Sequence, residues 1–243
     1  MVENNITNCK LLAIAAEQSA VDMNCRADDF FCIENQIVYS AQNDKARKYL
    51  DLPFDCNLVT YGSNIVASVS LPAEAAVRDY VGRFPVEHCF ETPNLHVLDD
   101  ALSPLGLRVC FMAEYFLPDL QCLRELPCAY EIKVLTPDTF SDLYVPLWKN
   151  ALCEKRRHLD VLAVAAYDAG RLVGLAGCSA DCETMWQIGV DVLPEYRRRG
   201  IASALTGRLV VETLNRGKVP FYCAAWSNIP SVRNAVFGRH GQN

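Results

Sequence analysis

Apolar residues recur at helical intervals from Ile6 to about Val21 (Leu11, Leu12, Ala15, Ala16), so the chain is expected to open with a helix. Arg26 to Phe31 is acidic and breaks the pattern. Cys56 to Ser70 is rich in Val, Ile, Thr and Tyr around a Gly-Ser-Asn turn, which predicts two short strands in a hairpin. A helix should follow from Pro72 through Glu74, Val77, Tyr80 and Val81, and another from Asn94 to Gly106. Leu107 to Leu117 reads as a long strand. Residues 118–128 carry Pro118, Pro127 and alternating charge, which marks an interdomain connection with a boundary near Cys128. The chain thus divides into an N-terminal α/β domain, residues 1–128, of unassigned role, and a second domain, residues 129–243.

The second domain is more regular. Tyr130 to Leu135 alternates as a strand, Thr136-Pro137-Asp138 opens a helix, and Leu143, Leu147 and Leu152 continue it. Leu159 to Tyr167 and Arg171 to Ala180 form a hairpin across Asp168-Ala169-Gly170. Glu183 to Val192 is a strand, Gly200 to Arg216 a helix, Val219 to Trp226 a strand, and Asn228 to Phe237 a last helix. The order βαβββαβα defines an α/β fold on a mixed sheet. No fixed-period repeat and no low-complexity tract occurs.

Composition narrows the function. The 243 residues are 51% hydrophobic, enough for a substantial core, and the formal charge of -6 argues against nucleic acid as a partner. No window reaches the roughly 20 apolar residues of a membrane span, so no membrane association is expected. Twelve cysteines lie scattered without paired CxxC spacing. Several sit in apolar runs, such as Val109-Cys110-Phe111 and Tyr222-Cys223-Ala224, where a thiol serves as a small hydrophobe. Reduced thiols, a cytoplasmic location and no metal site are the expectation. GxSxG, HExxH and Walker motifs are absent, and with them the hydrolase, zincin and nucleoside-triphosphatase readings.

The chemistry concentrates in Val190-Asp191-Val192-Leu193-Pro194-Glu195-Tyr196-Arg197-Arg198-Arg199-Gly200-Ile201-Ala202-Ser203. A strand here passes through a basic, glycine-bearing turn into a helix. The first helical N–H groups lack intrahelical partners, the helix dipole is positive at that end, and Gly200 permits close approach of a ligand. Arg198 and Arg199 would add charge-assisted contacts, so a diphosphate suits the turn.

This segment resembles the acyl-CoA-binding motif of the GCN5-related N-acetyltransferases (GNAT), matched by Arg197, Gly200 and Ala202. Its lead-in strand with Pro194-Glu195-Tyr196 and the following helix, strand and Trp226-Ser227-Asn228 turn extend the resemblance over residues 130–237. The resemblance implies a GNAT-like acyl-CoA N-acyltransferase fold and acetyl transfer from acetyl-CoA to a primary amine. It implies that the backbone of Val190, Asp191 and Val192 holds the pantetheine arm. The amides of Arg198, Arg199, Gly200, Ile201, Ala202 and Ser203 would hold the pyrophosphate, and Asn228 the cofactor arm, although Asn also caps helices.

Two departures matter. Ala235 stands where many members carry a Tyr acid, leaving Tyr222, Cys223 or Tyr167 as substitutes, and Glu183 is the candidate base acting through a water. Asp191 is a second base candidate, though its backbone is the expected contributor. The family also continues with a Gly-Phe turn and two further strands beyond this helix, so either the N-terminal half supplies those strands, the chain is a shortened form, or catalysis is lost. Separately, the order of hairpin, helices and long strand in the N-terminal half suits a degenerate copy of the same fold. Because some members complete their sheets with a neighbouring chain, a homodimer is compatible with the resemblance. A CoA-binding sensor without turnover is the alternative to an enzyme, and a purely structural α/β protein the third reading.

Overall fold

The computed structural model describes residues 6–237. By contacts the chain forms two compact units, one running Ala13–Phe111 and the other combining the residues up to Leu12 with those from Met112 onward.

In the Ala13–Phe111 unit, the N-terminal helix α1 (Asn8–Met23) ends against a three-stranded sheet of β1 (Gln36–Tyr39), β2 (Cys56–Thr60) and β3 (Ile65–Val69). The β2–β3 hairpin forms as expected, with Cys56 paired to Val69 and Thr60 to Ile65. Strand β3 takes the centre because β1 pairs parallel to its other side. Its five residues are all buried, as suits a strand covered on both faces. Helices α2 (Glu74–Arg83) and α3 (Thr92–Leu102) bury Val77, Tyr80, Val81, Leu98 and Leu102 on one side, with Ile65, Ala67 and Val69 of β3. Ala16, Ala20 and Met23 of α1 meet Phe30 and Val66 in a separate cluster. The sheet order β1-β3-β2 has no counterpart in the larger sheet described next, so the strand order offers no support for a second copy of one fold.

The long strand expected over Leu107–Leu117 is instead divided. Leu107 and Val109 pack on the α2/α3 core, and Asp99 Oδ1 accepts the Val109 N–H, whereas only β4 (Ala113–Phe116) is a strand. Two cores thus compete for one apolar run. Between them Cys110 and Phe111 are exposed, so this thiol is not the small core hydrophobe that its neighbours suggested.

The second unit is a six-stranded sheet, in order β4, β9 (Val219–Ala225), β8 (Met185–Val192), β7 (Arg171–Ser179), β6 (Asp160–Asp168), β5 (Glu131–Leu135). Residues 118–128 therefore join two strands of a single sheet. The β6–β7 turn places Ala169 (φ 47°) and Gly170 (φ 87°) in left-handed conformations, as a two-residue hairpin requires. Helices α5 (Ile201–Asn215) and α6 (Ile229–Phe237) cover one face, where Ile201, Leu205 and Leu209 join a core with Val164, Leu175, Ile188, Tyr222 and Ala224. Strand β4 pairs antiparallel with β9 from Ala113–Ala225 to Phe116–Tyr222. Strand β4, from before the motif, thus takes the outer side of β9.

The helix expected from Thr136 through Leu152 does not form. Thr136 caps α4 (Pro137–Phe140) through a capping box with Thr139, but only 3-10 turns follow at Ser141–Leu143 and Pro146–Trp148. Pro146 removes a helical donor and holds Val145 in an extended conformation (ψ 156°). The segment is tied to the sheet by carboxylates instead. Asp160, 3% exposed, accepts the Cys153 N–H (2.8 Å) and the Tyr144 hydroxyl (3.0 Å), and Arg156 reaches the buried Asp181 (3.1 Å).

Burial pushes the Asp160 pKa up to about 6 from its ordinary 3.8, with the Asp181 charge adding to it and the two hydrogen bonds and Arg156 opposing. The folded state therefore binds this proton more tightly than the unfolded chain does. Its contribution is fully present below about pH 4 and is lost as pH rises through about 6. We expect the urea midpoint to fall over that window, and the fall to flatten in Asp160→Asn.

All twelve cysteines are free, and burial pushes the thiols of Cys25, Cys56 and Cys178 up to about 12, which keeps them protonated. Among the described residues no cluster of His, Cys, Asp and Glu suits a metal ion, and no helix is long and apolar enough to cross a membrane.

Candidate active site

The site begins as a fork in the sheet. Strand β8 stays antiparallel to β7 from Gln187 to Val192, but pairs parallel with β9 only from Met185–Val219 to Ile188–Tyr222. Beyond that point β9 pairs with β4 on its far side, and Gly189 to Val192 have no partner strand on the near side among the described residues. Backbone polar groups alternate in direction along a strand, so those of Gly189–Val192 that turn away from β7 face the opening. Val192 O among them accepts Arg197 Nε (3.2 Å), and the groups without such a partner are a site for water or an extended ligand.

The fork leads to the start of α5. Leu193 donates its N–H to Val173 O (3.0 Å), and Pro194–Tyr196 make a 3-10 turn. Arg198 (φ 61°) and Gly200 (φ 78°) then take left-handed backbone conformations. Gly200 is the N-cap of α5, has no capping side chain, and would hold a Cβ in open space. No acceptor among the described residues takes the N–H groups of Ile201, Ala202 or Ser203, and the next amide, of Ala204, closes onto Gly200 O. A nest of free amides at a helix N-terminus favours an anion.

The three arginines separate in role. Arg197 Nε returns to Val192 O (3.2 Å) and braces the turn. Arg199 donates to the Tyr130 hydroxyl (2.8 Å) and lies over the Tyr196 ring (5.1 Å), which places its charge toward β5. Arg198 meets no partner among the described residues and is the cation left for a ligand. Tyr196 donates to Asp168 Oδ2 (2.8 Å), and that acceptor raises its pKa above the usual phenol value.

At the fork itself stands Tyr222, the last β9 residue paired with β8. It is 7% exposed and lies near α6, in a cleft shared with Asn234 and Ala235. Burial raises its pKa, and the polar side chains of Ser231 and Asn234 partly counter this. Asn234 also accepts from Ser203 Oγ (3.1 Å) and donates to Thr206 Oγ1 (3.0 Å), so α6 is tied to the first turns of α5. Ala235, Ile188, Thr206 and Phe116 line a cleft beside Tyr222.

The remaining residues singled out from sequence fall elsewhere. Asn228 Oδ1 accepts the Ser231 N–H (3.3 Å) and caps α6, the helix-capping role that its residue type allows. Glu183 is exposed before the paired end of β8, away from the fork, and its carbonyl accepts Lys218 Nζ (2.7 Å). Tyr167 lies on β6, two strands from β8, with Lys133 over its ring (5.0 Å). Cys223 pairs with Tyr115 on β4. The Asp191 carboxylate accepts Asn150 N (2.8 Å), Asn150 Nδ2 (2.6 Å) and Ala151 N (3.0 Å), a role no sequence pattern announced.

A mixed sheet forked beside an uncapped helix N-terminus is an architecture for holding a long anionic ligand in extended form. Residues 122–236, just under half of the chain, match the family model described as Acetyltransferase (GNAT) family. This stretch is a GNAT-family acetyltransferase domain. Among solved structures the chain is similar to a GCN5-related N-acetyltransferase-like protein from Streptococcus suis 89/1591, at 22% identity and TM-score 0.44, covering 58% of this chain and 62% of that one. An aminoglycoside acetyltransferase from an uncultured soil metagenomic sample is 21% identical (TM-score 0.36; 47% of this chain, 94% of that one). Aminoglycoside N-acetyltransferase AAC(6')-Iy, solved in complex with CoA, is 16% identical (TM-score 0.37; 49% and 93%). No curated protein matches the chain.

Proposed function

We propose that the chain is an N-acetyltransferase that moves an acetyl group from acetyl-CoA to a primary amine by direct attack within a ternary complex. The observation that supports this best is the continuity of the opened β8 edge with the free amides at Gly200–Ser203. The backbone of Val190, Asp191 and Val192 would pair with the amide-bearing pantetheine arm. The amides from Arg198 through Ser203 and the Arg198 guanidinium would hold the pyrophosphate. Acetyl-CoA supplies an activated thioester. Tyr222, whose burial holds its pKa above the ordinary phenol value, is our candidate for the acid that protonates the leaving thiolate. It lines the same cleft as Ala235, the position at which the resemblance leads one to look for an acid. Strand β4, from the residues before Cys128, lies on the outer side of β9.

Calorimetry with acetyl-CoA tests the reading. The native chain should bind, and Gly200→Trp, which fills the diphosphate turn, should lose at least tenfold in affinity. A native chain that shows no binding heat would sink the proposal. Binding without turnover of any amine would instead favour a CoA-binding sensor, the reading that Ala235 supports.

A further inference from the structure

We propose that Asp191 is a positioning residue, whose carboxylate seats the Asn150–Ala151 peptide on the sheet at the mouth of the fork and makes Asn150 a determinant of acceptor specificity. The proposal rests on the reading of the fork as the acetyl-transfer site.

Two independent features of the structure converge on it. The first is the clamp. Asp191 takes both backbone N–H groups of Asn150 and Ala151 and the Asn150 side-chain amide, three donors from one short stretch. Amide groups given to a carboxylate make stronger bonds than amides given to a neutral acceptor. The second is the floor. Gly177 and Gly189 are direct cross-strand partners on β7 and β8. A Cβ on Gly189 would lie 1.8 Å from Asn150 O, and one on Gly177 would lie 2.0 Å from Ala151 O. The loop backbone therefore rests on the bare surface of the two glycines, its carbonyls against the sheet and its N–H groups turned to Asp191.

The place of this contact gives it meaning. Gly189 is the first β8 residue beyond the paired part of the fork, and Asp191, two residues on, projects from the same face of the strand. The loop lies on that face, opposite the α5 and α6 helices that pack with Ile188, Val190 and Tyr222. An acceptor reaching the fork from this side passes Asn150. That side chain is exposed and, with its Nδ2 held by Asp191, turns an Oδ1 that has no partner among the described residues to the solvent. An amide oxygen fixed in this way accepts a hydrogen bond from an N–H, the chemistry of an amine acceptor. The two-point tether makes the loop a fixed wall, although the segment contains no regular helix from Ser141 to Leu159.

The experiment combines hydrogen exchange with steady-state kinetics on the full chain. In Asp191→Ala the amides of Asn150 and Ala151 should exchange at least tenfold faster than in the native chain, while amides of β6 and β7 stay protected. Unchanged protection at both would overturn the proposal. Should Asp191→Ala fail to fold, Asp191→Asn, which keeps one acceptor oxygen, decides: partial loss of protection at the two amides supports the clamp, and full protection overturns it. For function, Asn150→Ala is assayed against a lysine-containing peptide, a diamine and an amino sugar with acetyl-CoA. A rise of tenfold or more in the amine KM, with kcat and the acetyl-CoA Kd within about threefold, supports Asn150 as a specificity determinant. Equal loss across all parameters, or none, overturns that role. Absence of acetyl-CoA binding by the native chain would defeat the transferase reading and with it the acceptor role of Asn150, while exchange still reports on the Asp191 clamp by itself.

Discussion

Replacing Gly189 with alanine is expected to lower the thermal midpoint of the sheet-bearing unit by roughly 10 °C. The new Cβ would meet a backbone oxygen at 1.8 Å, and a backbone atom cannot move aside as a flexible side-chain end can. Either the loop lifts from the sheet, breaking three hydrogen bonds to Asp191, or β8 shifts out of register with β7. Overpacking of this kind costs about 3 kcal/mol, and each kcal/mol moves the midpoint by about 2–4 °C in a domain of this size class. Gly177→Ala, at 2.0 Å from Ala151 O, should behave alike. Gly82→Ala is the control. That glycine lies in α2 with nothing within 4 Å of its would-be Cβ, so alanine should be neutral or stabilising by about 1 kcal/mol. Differential scanning calorimetry separates the cases, and a Gly189→Ala midpoint equal to that of Gly82→Ala would show that the close contact is not real.

Tyr222→Phe carries the largest expected effect on activity. If its hydroxyl protonates the leaving thiolate, kcat should fall by about 100-fold or more, the usual contribution of a positioned general acid. The acetyl-CoA KM should change little, because the backbone of β8 and the start of α5 are untouched. The pH profile adds a second test. With the Tyr222 pKa above 10.0, the acid form persists through neutral and mildly alkaline pH, so the native enzyme should show no alkaline loss before about pH 10 from this group. A kcat within threefold of native would assign the proton donation to water and leave Tyr222 as a structural hydroxyl.

Local periodicity and turn chemistry carried much of the fold into plain view. The β6–β7 hairpin, the β2–β3 hairpin and α5 follow from Asp168-Ala169-Gly170, Gly62-Ser63-Asn64 and the apolar run after Gly200, because each depends on residues close in sequence. The turn from Pro194 to Gly200 was legible for the same reason. Its free amides and left-handed glycine are properties of a few adjacent residues, and the structure places them beside an opened strand edge.

Other features depended on competition between distant groups. Leu107–Leu117 has the composition of one strand, yet one end packs on α2 and α3 and the other pairs with β9, and no local signal divides it. The stretch after α4 has helical leucine spacing, but Pro146 and the carboxylates of Asp160 and Asp191 draw its backbone donors onto the sheet. Glu183, attractive as a carboxylate on the motif strand, stands at the paired end of β8, whereas Tyr222, which reads as an ordinary core aromatic, stands at the fork.

What the sequence determined alone is the β2–β3 and β6–β7 hairpins, α5 and the glycine-bearing turn that precedes it, since these are fixed by short-range sterics and local turn chemistry. What only the tertiary structure decided is where β8 and β9 part, which strand takes the far side of β9, and which carboxylate holds Asn150 and Ala151. Those are long-range pairings, in which one backbone donor or one strand edge can be satisfied by several partners, and the packed fold selects among them.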